Sequence, residues 1–344
     1  MSEMRAAVVH TFDDVRVESV PRPTAPPGGL LVHTHACGIC SGDVMPWYIE
    51  RKAPLVLGHE MAGTVVEVGE GAPFAVGDRV FAHHHAPCME CAYCNRGHYV
   101  QCATWKEPAV DPGGCAEYFA VTANGTENDT LLVPPSLSLE HACLIEPLAC
   151  AVKALRRVPP IARGGVVAIL GLGAMGIILT ALAKYFGAWQ VIGIDRIPYR
   201  LNLAADIGAD HLIDFSRQDV VATVRQITSG MGADLVIVGP PSVEAMRTGL
   251  ECAGKAATVL FFSPAEPDQT FAYDPNRPYF DEISFVTSYS CGPPDTREAL
   301  SLLADGVLRV DKIITHRFPL DQAPTAYRLT ASGGESSKVL VTLE

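Results

Sequence analysis

"VVAILGLGAMGIILTALAKYFGA", residues 166–188, decides the fold. Val166 to Leu170 is a short apolar run of β type, and a helical pattern follows through Phe186. Between them stands G-L-G-A-M-G, which is G-x-G-x-x-G in the context the motif requires, after a strand and opening a helix. Gly171 permits the tight turn, and Gly173 lets backbone approach a pyrophosphate. Ala174 and Met175 are the spacer pair, and Gly176 lets the helix pack against the strand. The exposed N–H groups of the helix start then face the phosphates. "QVIGID" (190–195) reads as the next strand, ending in Asp195, 24 residues after Gly171. A carboxylate there accepts from ribose hydroxyls and repels a 2′-phosphate, which favours NAD over NADP. Arg196 and Arg200 pull the other way, because an arginine can receive a 2′-phosphate.

Outward from this stretch the alternation continues. "HLIDF" (211–215), "DLVIV" (234–238), "AATVLFF" (256–262) and "ISFVT" (283–287) read as strands, with helical patterns near 198–207, 217–228 and 243–251. Strands separated by helices give a doubly wound parallel sheet, placed at 154–288. Residues 264–278 read as a polar, proline-bearing loop between the last two strands. The N-terminal part differs. Alternating runs such as "LLVHTHA" (30–36) and "AGTVVEVG" (62–69) lie between Pro/Gly clusters, as in a β-rich, barrel-like domain. "KVLVTLE" (338–344) is a further strand, expected to return to that first domain. The expected organisation is α/β: a β-rich domain of residues 1–153 completed by 289–344, with the nucleotide domain inserted.

The 344 residues are 48% hydrophobic and 19% charged, which describes a folded enzyme-like chain rather than a disordered one. The formal net charge of −12 argues against nucleic acid as a partner. No stretch reads as the ~18 uninterrupted apolar residues of a membrane helix. The first residues lack the basic and apolar regions of a signal peptide, so a cytoplasmic location is expected. Disulfides are rare there, and the eleven cysteines read as buried thiols, metal ligands or nucleophiles.

"CMECAYCNRGHYVQC" (88–102) places Cys88, Cys91, Cys94 and Cys102 as C-x2-C-x2-C-x7-C. Thiolates two residues apart can face one ion across a tight turn, and four close a tetrahedron around Zn²⁺. Such a closed site leaves no open position, so its metal is structural. A redox C-x-x-C would sit at a helix start beside a strand, and nothing here starts a helix cleanly. Three segments hold further ligands: "CGICSGD" (37–43), "LGHEMAG" (57–63) and "LIEPLAC" (144–150). Cys40, His59, Glu60 and Glu146 could hold a catalytic zinc with an open position. Each also has a plainer reading, as a buried thiol, a core histidine or a carboxylate opening a turn.

The combination resembles the zinc-dependent medium-chain dehydrogenase/reductase superfamily of alcohol, polyol and threonine dehydrogenases. "GHEMAGTVVEVGEGAPFAVGDRV" (58–80) resembles its zinc signature. The four-cysteine loop and the glycine motif stand where that family has its structural zinc and cofactor fingerprint, and the likeness spans essentially the whole chain. It implies a GroES-like catalytic domain plus a Rossmann domain, two zincs per chain, and a homodimer or homotetramer. It implies a catalytic zinc at Cys40 and His59, with Glu60 in or beside the sphere. "EPLA" resembles the polyol and threonine branch, so Glu146 is the implied third ligand and Cys150 the weaker alternative. Cys37 is then a small buried strand residue rather than a ligand.

The implied chemistry is hydride transfer between NAD(H) and a secondary alcohol or ketone of polyol, sugar-derived or cyclic type. A Lewis-acidic zinc lowers the pKa of the alcohol. One departure bears on the proton path. The family usually carries Ser or Thr two residues after the ligand cysteine, and here that place is Gly42, with Ser41 one position early. Trp47 and Tyr48 are candidate pocket walls, and "SYSCGPP" (288–294) is expected to pass the nicotinamide. "HHH" (83–85) suggests metal, but strand neighbours alternate faces, so it reads as structural or pocket-facing rather than as a third zinc site. Two competing readings are a zinc-independent quinone or enone reductase, which lacks the ligands, and a non-catalytic nucleotide-binding protein.

Overall fold

Five consecutive apolar residues, Val166–Leu170, are all buried, and they form the centre of a six-stranded parallel sheet. A strand buried on both faces has to be apolar throughout, which is why this run shows no alternation. The computed structural model describes residues 2–343. In order across the sheet, the strands are His211–Asp214, Gln190–Asp195, Val166–Leu170, Ala233–Val238, Ala253–Phe261 and Ser284–Thr287. The order reverses between Val166–Leu170 and Ala233–Val238, and sheets of this kind bind ligands beyond the carboxyl ends of the strands at such a switch point. The helices Ala174–Tyr185, Pro198–Ile207, Val220–Ile227 and Val243–Cys252 connect successive strands. The expected loop at 264–278 is shortened at its end, where Asn276–Phe280 forms a helical turn behind Pro275.

The glycine motif takes the predicted geometry. Gly171 has φ +83°, a left-handed conformation that favours glycine, and its N–H donates to the Ile194 carbonyl at 2.8 Å. A Cβ on Gly176 would stand 2.0 Å from the Gly171 carbonyl oxygen, so only glycine lets helix and strand approach this closely. Gly173 is different: a Cβ there would meet only Arg200 Nη1, at 3.9 Å. The space in front of Gly173 is left open by the protein itself.

The remaining strands form a second, largely antiparallel system. One path runs Ile314–Pro319, Lys338–Thr342, Leu30–Gly38, Glu60–Val68, Arg79–Ala82, Thr130–Leu132, and a three-stranded sheet is built around Glu3–Thr11. The C-terminal strand Lys338–Thr342 lies antiparallel beside Leu30–Gly38, pairing Leu340 with Gly38. The chain therefore leaves this system, builds the parallel sheet and comes back. Helix Ile145–Arg156 packs on both Ala174–Tyr185 and Pro293–Ala304. One apolar core runs through it from Ala36, Ala62 and Phe81 to Ile169 and Ile177. The boundary expected at 153/154 falls inside this helix.

Two glycine substitutions separate packing from ligand space. Gly176→Ala should lower stability by about 1–3 kcal/mol, the usual range for overpacking. Gly173→Ala should stay within about 0.5 kcal/mol, as expected where no neighbour is disturbed. Urea unfolding of both variants checks this, and equal losses would contradict the geometry.

Candidate metal and cofactor sites

The four-cysteine loop is assembled by two 3₁₀ turns, Cys94–Arg96 and Tyr99–Gln101, with Gly97 at φ +76° between them. The four sulfurs lie within 4.8 Å of one another. Cys91 and Cys94 are 3.5 Å apart, and Cys88 and Cys102 are 3.6 Å apart. Tetrahedral zinc with bonds near 2.3 Å requires sulfurs about 3.8 Å apart, so the set fits the ion. All eleven cysteines are free thiols.

The second set is delivered by the antiparallel sheet. Strand Leu30–Gly38 ends just before Cys40, and Glu60 opens strand Glu60–Val68, opposite Gly38. The ligand atoms of Cys40, His59 and Glu60 fall within 4.8 Å of one another. The Gly42 N–H donates to Cys40 Sγ at 3.3 Å. Asp43 Oδ2 lies 3.2 Å from His59 Nδ1, which leaves Nε2 to face the cluster. A carboxylate behind an imidazole fixes its tautomer and orientation in metal sites. Burial works against a charge on His59, but Asp43 and Cys40 outweigh it and hold its pKa well above the ordinary value. These residues fit a zinc ion.

Glu60 is fully buried, and Lys338 Nζ bonds both its oxygens, at 2.7 and 2.6 Å. Lys338 also donates to the Ile39 carbonyl at 3.3 Å. Burial alone would strip the charge from Lys338, and the Glu60 carboxylate restores it and raises its pKa. Gly38 is required here, because a Cβ on it would lie 2.0 Å from Glu60 Oε2. Neither Lys338 nor Asp43 was singled out from sequence. A lysine heading an apolar strand gives no periodic sign that it points inward, and Asp43 lies unmarked within the segment that carries Cys40.

Glu146 sits in the first turn of helix Ile145–Arg156 and is 5% exposed. Its carboxylate groups with His83 and Cys291, within 4.8 Å, rather than with Cys40 and His59. Its Oε1 accepts from Cys150 Sγ at 3.3 Å. Cys37 is fully buried in its strand. Ser41 is exposed, and Gly42 leaves open space, since a Cβ there would meet only Cys40 Sγ at 3.5 Å. The histidine triplet divides: His83 is fully buried, while His84 stacks on His59 with ring centroids 4.6 Å apart. His85 packs on Trp105 at 4.2 Å, and Trp105 meets Tyr289 edge-on. Trp47 and Tyr48 are half-buried and pack against each other.

In the nucleotide crevice, Asp195 Oδ2 accepts from Leu172 N–H at 2.7 Å. Its Oδ1 accepts from the N–H groups of Arg196 and Ile197 at 2.7 and 3.0 Å. A carboxylate has about four acceptor positions, so one remains for a hydroxyl. Ala174 and Met175 open the helix beside Gly173, Arg200 leans over Gly173, and Arg196 is exposed. The open space at Gly173 and the remaining acceptor on Asp195 fit a dinucleotide.

Residues 26–129 match the alcohol dehydrogenase GroES-like domain, and residues 174–305 match the zinc-binding dehydrogenase domain. The chain is 32% identical to the erythritol/L-threitol dehydrogenase of Mycolicibacterium smegmatis, covering 98% of this chain and 97% of that one. It is 35% identical to the L-threonine 3-dehydrogenase of Symbiobacterium thermophilum, covering 94% and 93%. Among solved structures it is similar to an alcohol dehydrogenase from Escherichia coli CFT073 complexed with NADH. That match has a TM-score of 0.87 and 25% identity, over 99% of this chain and 100% of that one.

The buried ion pair makes a sharp expectation. Lys338→Met strands the Glu60 charge and should cost about 3–5 kcal/mol. Lys338→Met with Glu60→Gln should recover much of that loss, because the uncompensated charge is gone. Urea unfolding of both proteins reads this out, and equal losses would mean that the pair is not the source.

Proposed function

The chain belongs to the zinc-binding alcohol dehydrogenase family, an oxidoreductase acting on alcohols with zinc and a nicotinamide cofactor, and from that premise we propose a specific reaction and site. The protein interconverts a secondary alcohol of the polyol or sugar-derived class and its ketone, with NAD(H) as coenzyme. The observation that carries the site is the Cys40–His59–Glu60 ligand set, with Gly42 N–H on the Cys40 sulfur and Asp43 beside the His59 imidazole. Polyol and threonine dehydrogenases among the relatives support the substrate class.

Cys40 and His59 would hold the catalytic zinc, with a carboxylate as third ligand. Glu146 is the residue the family pattern names, and Glu60 is the one whose oxygen lies within reach. The zinc supplies Lewis acidity toward the alcohol oxygen, and the nicotinamide accepts or gives the hydride. Gly171, Gly173 and Gly176, with the helix start at Ala174 and Met175, seat the pyrophosphate. Asp195 accepts from a ribose hydroxyl with its remaining lone pair and disfavours a 2′-phosphate. Arg200 over Gly173 supplies positive charge near the phosphates. Cys88, Cys91, Cys94 and Cys102 would hold a structural zinc. The ligand set speaks against the zinc-independent reductase reading.

The proposal extends to a cytosolic homodimer or homotetramer. Support for the oligomer comes from Ser284–Thr287, which is an edge of the parallel sheet, beside Tyr279 and Phe280, 78% and 76% exposed.

Zinc per chain and turnover on an alcohol panel with NAD test the site. Cys40→Ser should remove one zinc and all activity, and Glu146→Ala should do the same if Glu146 is the third ligand. Activity retained in Glu146→Ala would assign the role to Glu60. Unchanged zinc in Cys40→Ser would overturn the site. Asp195→Gly should erode the preference for NAD over NADP, and a fixed coenzyme ratio would remove Asp195 from ribose recognition.

A further inference from the structure

A third ligand set stands apart from the two already described. His83, Glu146 and Cys291 each bring one ligand atom within 4.8 Å of the others, and all three residues are buried. They come from distant places: His83 follows strand Arg79–Ala82, Glu146 lies in helix Ile145–Arg156, and Cys291 precedes Gly292, the cap of helix Pro293–Ala304. His83 is aimed. Its Nδ1 lies 2.7 Å from Asp129 Oδ2, both side chains are fully buried, and Asp129 Oδ1 accepts from the Thr296 hydroxyl. A proton on Nδ1 leaves a lone pair on Nε2, which faces Cys291 Sγ at 3.6 Å. Imidazoles that bind metals are held in this way by a carboxylate. Cys150, one helical turn beyond Glu146, brings a second sulfur to 3.3 Å from Glu146 Oε1.

We propose that His83, Glu146 and Cys291, with Cys150 as fourth ligand, bind a zinc ion separate from the Cys40–His59 site and from the four-cysteine loop. Nitrogen, sulfur and one carboxylate form a set for a borderline-soft dication, whereas Mg²⁺ and Ca²⁺ take oxygen shells. The thiols of Cys291 and Cys150 bind as thiolates, and their protons pass to solvent. A nucleophilic role for a cysteine beside a histidine and an aspartate does not fit, because Cys291 and His83 are 0% exposed and no substrate reaches them. Four protein ligands leave no open position, so the ion is structural. It ties the antiparallel sheet, through His83, to the two helices packed on the parallel-sheet domain. His83–His85 lie just beyond strand Arg79–Ala82, and of the three only His83 is fully buried. Its partners are far away in the chain: Cys291 is 208 positions on. This site requires that Glu60, whose ligand atom already lies with those of Cys40 and His59, and not Glu146, complete the Cys40–His59 site.

Native mass spectrometry of the full chain, purified with zinc, tests this by counting ions. The expected counts are three for wild type, two for Cys291→Ser, two for Cys40→Ser and one for the double variant. His83→Gln reads the same site should Cys291→Ser not fold, and it too should lose one ion. Equal counts in wild type and in the folded Cys291→Ser or His83→Gln protein would overturn the proposal. A count that falls in Cys291→Ser and not in Cys40→Ser would sustain it while overturning the catalytic site proposed above.

Discussion

Lys338 and Glu60, 278 residues apart, form a buried ion pair in which one ammonium meets both carboxylate oxygens. Taking two charges out of water costs several kcal/mol each, so such a pair persists only where its geometry is good and its remaining bonds are made. Here both conditions hold, since Lys338 also bonds the Ile39 carbonyl. The pair binds the last strand of the chain to the segment that carries Cys40 and to the strand that opens with Glu60. The antiparallel system is complete only when the C-terminus has come back past the whole parallel sheet. The pair therefore ties the ligand cluster to closure of the entire fold.

A second constraint is the helix Ile145–Arg156. It is apolar enough to be buried against both sheet systems, and its first turn carries Glu146. Hydride transfer requires a cofactor bound by one half of a molecule to meet a substrate held by the other, with water kept out. A single core running through this helix gives the two halves a continuous apolar seam. It also explains why the glutamate comes from a helix rather than a loop: a rigid element fixes its position.

The two candidate centres built on histidine repeat one physical device. His59 is backed by Asp43 and His83 by Asp129, each through Nδ1, and each faces a cysteine. In both, a buried carboxylate offsets the cost of orienting an imidazole in a low-dielectric setting. Glu60 and Glu146 differ in partner. Glu60 is bonded by Lys338, whereas Glu146 lies beside the Cys150 thiol, His83 and Cys291, with no lysine or arginine among the described residues bonded to it.

The sequence by itself determined what depends on local spacing. G-L-G-A-M-G between a strand and a helix, the four cysteines within one loop, and the strand–helix alternation after Val166 all act over a few residues, and the structure has them where the pattern puts them. Cys40, His59 and Glu60 were singled out through the family resemblance, and the structure brings their ligand atoms within 4.8 Å of one another. Only the tertiary structure decided which carboxylate stands beside which histidine. Glu146 turns toward His83 and Cys291 because helix Ile145–Arg156 packs against helix Pro293–Ala304, a contact with no signature in either segment. Lys338 was illegible for the same reason. Its charge reads as solvated until the partner that buries it, nearly the full chain length away, is known.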